Sequence, residues 1–148
     1  MLEMLRERKE ALKAEGKKGF TLMEMLIVIA IIAILIAIAI PVFTTQLERA
    51  GEATDAANIR AEYAEVMTEY ITNGNVTTTH EVNMQQSQNG WQNDDIKSGL
   101  SNIATTDTKG LKVQFGSDGN GIDNVVGKGK ATFNFDKDNN TLSITFGN

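Results

Sequence analysis

The chain has 148 residues, enough for one domain with a modest core rather than two large ones. It has no cysteine, which excludes a disulfide framework, a thiolate metal site and a cysteine nucleophile. The net charge of −5 is uneven: residues 1–19 carry six Lys/Arg against four Glu, which leaves −7 on the remainder, and an acidic body argues against nonspecific nucleic-acid binding through a broad basic face.

After the basic start comes a nearly unbroken apolar run from Phe20 to Phe43. Its first 21 residues, Phe20 to Ile40, form a helix of about 32 Å at ~1.5 Å per residue, close to the ~30 Å hydrocarbon thickness of a bilayer. Basic residues lie before the run and Glu48, Glu52 and Asp55 after it, so the charge rule puts the N-terminus in the cytoplasm and the C-terminal part outside. A secretory signal peptide keeps its apolar stretch to about 7–15 residues and is cut after it at a small-residue site; this stretch is longer and ends at Pro41-Val-Phe-Thr-Thr. A plain membrane anchor, in turn, gives no reason for the carboxylate of Glu24 inside the run.

Lys17-Lys18-Gly19-Phe20-Thr21-Leu22-Met23-Glu24, followed by the Ile/Leu/Ala run, resembles the class III signal of type IV pilins and related pseudopilins. The resemblance covers about the first third of the chain. It implies a prepilin peptidase that cuts between Gly19 and Phe20 and methylates the new Phe20 amine, with residues 1–19 as a discarded leader. Gly19, lacking Cβ, permits close approach of the backbone to a peptidase.

The resemblance further implies a homopolymer built through the apolar helix, with an assembly ATPase and a platform membrane protein as partners. It implies a single-pass membrane protein before assembly and a cell-surface filament after it. No cofactor is called for. Glu24 then needs a partner, and the freed Phe20 amine is a cation made nearby. The two are spaced i,i+4 within one helix and also able to meet between subunits; the resemblance favours the pairing between subunits. One buried charge per helix fixes axial register, because other offsets leave it unpaired. Ala30, Ala33, Ala37 and Ala39 permit close helix approach. Pro41, the one proline, removes a backbone donor within the continuing helix and matches a proline usual in the family, whereas Ala33 stands where many relatives carry a helix-weakening Gly.

Beyond Pro41 the pattern is amphipathic. Ala56, Ile59, Tyr63, Val66 and Tyr70 recur at spacings of 3 and 4, with Glu52, Asp55, Arg60, Glu62, Glu65 and Glu69 elsewhere around the helix. The helix is expected to run to about Ile71 and stop at Asn73-Gly74-Asn75. A second track of Leu47, Ala50, Thr54, Ala57, Ala61 and Ala64 faces either other subunits or the core. Residues 76–93 read as a polar surface connection, with His80, the one histidine, at the surface and Trp91, the one tryptophan, anchoring the loop to the core. Asp94 is a candidate cap for a short helix presenting Ile96, Leu100 and Ile103.

Leu111, Val113 and Phe115, then Ala131, Phe133 and Phe135, then Leu142, Ile144 and Phe146 alternate at period two and read as antiparallel strands. Residues 136–141 read as a hairpin turn, and 122–126 as a candidate extra strand. The expected fold is α+β: a long N-terminal helix packed against a C-terminal antiparallel sheet, the lollipop of the pilin-like family. Its parts are the leader 1–19, the membrane and filament-core half of the helix 20–45, and a globular head 46–148.

Asp118, Asn120 and Asp123, and Asp136, Asp138 and Asn140, offer oxygen ligands at alternate spacing as weak calcium candidates. Neither set completes an EF-hand, and turn chemistry alone explains them, so no metal is expected. No nucleophile–base motif is present and no enzyme is expected. The expected function is structural, a type IV pilus subunit. The alternatives are a pseudopilin of a secretion or DNA-uptake system and a minor tip pilin acting as an adhesin.

Overall fold

The computed structural model describes residues 1–18, 21–105, 110–117, 119 and 121–148. It divides into two compact units, residues 1–43 and 44–148. The cleavage pair Gly19 and Phe20 and the calcium candidates Asp118 and Asn120 lie outside the described residues.

The first unit is helical, with α1 over Leu2–Lys18 and the first part of α2, which as a whole covers Leu22–Asn73 and includes Pro41. The start of α2 is fixed locally. Thr21 is the N-cap: its hydroxyl accepts the Glu24 backbone N–H at 3.3 Å, while the Glu24 carboxylate accepts the Thr21 N–H at 3.0 Å. This is a reciprocal capping box, which satisfies two of the amides that a helix N-terminus leaves without partners.

The second unit is α+β and takes in α2 from Thr44 onward. The helix stops at Asn73 because Gly74 turns left-handed, at φ +68°, while its N–H closes the last turn on the Tyr70 carbonyl at 2.7 Å. The chain then forms β1 (His80–Asn83), α3 (Asp94–Ser101), β2 (Lys112–Phe115), β3 (Lys130–Asp136) and β4 (Thr141–Gly147). The sheet order is β1-β3-β4-β2. β3 pairs antiparallel with β1 and with β4, placing Phe133 beside both His80 and Ile144.

The period-two alternation holds: Ala131, Phe133, Leu142 and Ile144 are buried against Ile59, Val66, Met67 and Tyr70 of α2 in one core. Leu100, Ile103, Val113, Phe115 and Val125 complete it.

Four sequence expectations change. The alternation at 111–115 predicts an antiparallel strand, but β2 runs parallel to β4. Residues 116–129 carry the chain to the far side of β4, the kind of crossover that parallel pairing requires, and the expected strand at 122–126 is part of it as a 3₁₀ turn over Gly121–Asn124. The cap of α3 is Asn93, whose side chain accepts the N–H groups of Asp95 and Ile96, rather than Asp94. Residues 76–93 are more than a surface connection: they contribute β1 and bury His80, Val82, Met84, Gln86 and Trp91. Trp91 does anchor its segment, edge-on to Phe146 and donating Nε1–H to the Ile122 carbonyl at 2.8 Å.

Candidate functional site

In the first unit the large apolar side chains from Leu22 to Phe43 are all exposed, from 40% for Met25 to 79% for Leu22. So continuous an apolar surface is unstable in water, and it calls for lipid or protein around it. The segment is long and apolar enough to cross a membrane. Ala33 and Ala37 stand one turn apart within it, a small-x-x-x-small spacing that lets a second helix approach closely.

At the N-terminal end of this segment Glu24 already has a partner. The sequence alone offers its carboxylate the Phe20 amine as counterpart; the geometry adds the Thr21 amide, within the same helix. Its position in the first turn is also where the helix dipole favours a negative charge.

In the second unit the small-residue track of α2 is settled against the core alternative. Leu47, Ala50, Thr54, Ala57, Ala61 and Ala64 are all exposed and are not part of the buried core.

The acidic residues of α2 do what periodicity does not reveal. The amphipathic pattern puts Glu52 and Asp55 elsewhere around the helix, away from its buried face, yet both are fully buried and Glu48 nearly so. Each carboxylate accepts two successive backbone amides from the segment laid across it. Glu48 takes Ser87 and Gln88, Asp55 takes Gln85 and Gln86, and Glu52 takes Gln92 and Asn93. These six N–H groups lie outside the sheet ladder, and buried amides need acceptors, so the helix supplies them. Gly51 sits between them because a Cβ there would lie 3.1 Å from Gln86 Cα. Burial raises the Asp55 carboxyl above the usual range and outweighs the lowering by the Gln86 and Gln85 amides.

Further along α2, His80 overturns the surface reading. It is buried, with Nδ1 against Glu62 Oε1 and Nε2 3.0 Å from Glu69 Oε2. Burial alone opposes the imidazolium, but hydrogen bonds to Glu69 and Glu62 and their charges outweigh it, so the His80 pKa is raised. Glu69 is lowered to about 2, first by the Thr77 amide and then by His80 and the Thr77 hydroxyl.

The remaining acidic candidates lie apart from this cluster and serve local structure. Asp123 pairs with Lys97. Asp136 accepts the Asp138 and Asn139 amides within the hairpin turn, and Asn139 holds its carboxyl below the usual range. Asn140, at φ +49°, accepts the Tyr70 hydroxyl and donates to the Gly110 carbonyl.

Comparison with known proteins adds to this geometry. Residues 16–40 match the family described as the prokaryotic N-terminal methylation motif. The chain is 50% identical over 50 residues to the type IV narrow pilus major component PilA5 of Thermus thermophilus, a match that covers 32% of this chain and 43% of that relative. No solved structure matches the chain. The methylation motif stands at the head of an exposed apolar helix, a sheet packs on the later turns of the same helix, and over about its first third the chain is similar to type IV pilins.

Proposed function

We infer that the chain is a precursor cut between Gly19 and Phe20, whose residues 20–45 first hold it in the membrane and then form the core of a cell-surface filament, with residues 46–148 as the head. The observation that carries this reading is the exposed apolar face from Leu22 to Phe43, which needs lipid before assembly and like helices after it. The methylation motif over residues 16–40 supplies the processing step in this reading, with Phe20 as the methylated residue.

Glu24 acts after cleavage. Its carboxylate exchanges or shares the Thr21 amide with a Phe20 amine, and pairing with the amine of a neighbouring subunit fixes the axial register. Pro41, inside α2 at the end of the apolar run, marks where that helix can lose regularity on packing. The partners are copies of the chain itself, a prepilin peptidase, an assembly ATPase and a platform membrane protein. The role is structural rather than enzymatic.

Mass spectrometry of protein sheared from the cell surface tests the reading. An abundant N-terminal peptide beginning at methylated Phe20 is expected, and intact chain confined to membranes would overturn it. A Glu24→Ala variant is expected to insert and be cleaved normally but to yield few fibres. A processed chain confined to the envelope would favour the pseudopilin alternative.

A further inference from the structure

Apart from the apolar segment, α2 and β1 bring four potential metal-ligating side chains together. Glu62 and Glu65 lie nearly one turn apart on α2, Glu69 follows one turn later, and His80 comes from β1. The ligating atoms of Glu62, Glu65 and His80 all lie within 4.8 Å of one another. We propose that these three residues bind a divalent cation of the zinc class, with Glu69 holding the imidazole in place.

The arrangement around His80 is the first argument. A metal-bound imidazole almost always donates its other N–H to a carboxylate, a backbone carbonyl or water, which fixes its tautomer and ring orientation. Glu69 occupies that position, with Oε2 3.0 Å from His80 Nε2. Glu69 is itself held: its Oε1 accepts the Thr77 amide and hydroxyl, each at 2.7 Å, and the Thr78 amide at 3.2 Å. The ring is therefore anchored on one side while Nδ1 is directed at Glu62.

Charge is the second argument. Three carboxylates face one imidazole, which leaves excess negative charge even when the ring is protonated. Among the described residues the lysine ion pairs are Lys97 with Asp123 and Lys130 with Glu81, so neither lysine offsets this cluster. Hydrogen bonding of His80 to Glu62 and Glu69 accounts for three of the four side chains and gives Glu65 no part; a cation uses all four.

One nitrogen and two carboxylates, with no thiolate, suit Zn²⁺ or a similar first-row ion, whereas Ca²⁺ takes six to eight oxygens. His80 and Glu65 border an open surface groove, so a cation can enter and a water can complete its coordination. Bound there, it ties β1, an edge strand of the sheet, to α2.

The test is Zn²⁺ binding by the full-length, untagged chain in detergent, followed by calorimetry and thermal unfolding after chelator treatment. Excess Zn²⁺ is expected to raise Tm by about 5 °C or more, and the same concentration of Ca²⁺ to leave it unchanged. Glu65→Gln is the informative variant, since Glu65 is exposed and outside the His80 hydrogen bonds. It is expected to keep the metal-free Tm while weakening Zn²⁺ binding about tenfold or more. His80→Gln is expected to abolish the Zn²⁺ shift. No shift with Zn²⁺, an equal shift with Ca²⁺, or unchanged affinity in Glu65→Gln would each overturn the site, and none of them bears on filament formation.

Discussion

Glu52→Gln removes one acceptor from a fully buried carboxylate while keeping its size. In the native chain one oxygen accepts the Gln92 amide and the other the Asn93 amide, the latter at 2.9 Å. A glutamine carbonyl serves one of these donors and turns its own NH₂ toward the other, which is left buried and unpaired. An orphaned donor costs about 1–3 kcal/mol, and the remaining bond loses its charge assistance, so the expected total is about 2–4 kcal/mol. Against a domain stability of about 5–15 kcal/mol this is a large loss but one that leaves a folded protein to measure. Native-state hydrogen exchange on the full chain in detergent reads it locally: the Gln92 and Asn93 amides are expected to exchange about 30-fold faster or more. The Phe133 amide in β3 is expected to report only the global loss. Unchanged exchange at Gln92 and Asn93, with a stability loss under about 0.5 kcal/mol, would refute the claim that the helix carboxylates hold the 84–93 segment.

Two further outcomes follow from the same region. Gly51→Ala gains helix propensity of about 1 kcal/mol, but its Cβ lies 3.1 Å from Gln86 Cα and 3.2 Å from Gln86 N, so a net loss of about 1 kcal/mol is expected in chemical denaturation; a stabilised protein would show that the segment yields freely. Because burial raises the Asp55 pKa, the folded chain takes up that proton at a higher pH than the unfolded chain, and the penalty for its charge disappears as pH falls. Wild type is therefore expected to gain stability relative to Asp55→Asn between about pH 7 and pH 4, and a constant difference across that range would contradict the assignment.

Much of the fold is legible because period and composition carry it. The apolar run, the Gly74 stop, the 136–141 turn and the alternating Ala131/Phe133 and Leu142/Ile144 pairs depend on local spacing, and the structure keeps them. The start of the apolar segment carries a second local signal that the charge argument alone does not use: Thr21-Leu-Met-Glu24 has the spacing of a capping box, so Glu24 has a local partner.

The sequence by itself determined where the apolar helix lies, that it begins with a processing-type motif, and that strands and an amphipathic helix follow it. Those features are fixed by residues within a few positions of one another. Only the tertiary structure decided that β2 lies parallel beside β4, because strand order depends on where a 14-residue connection crosses. Only the tertiary structure turned Glu48, Glu52 and Asp55 from a charged helix face into acceptors for a segment some 30–40 residues away. An acid on a helix and a polar loop each look solvated when read alone; it is the pairing of a buried carboxylate with backbone amides that buries both, and that pairing exists only once the chain has brought them together.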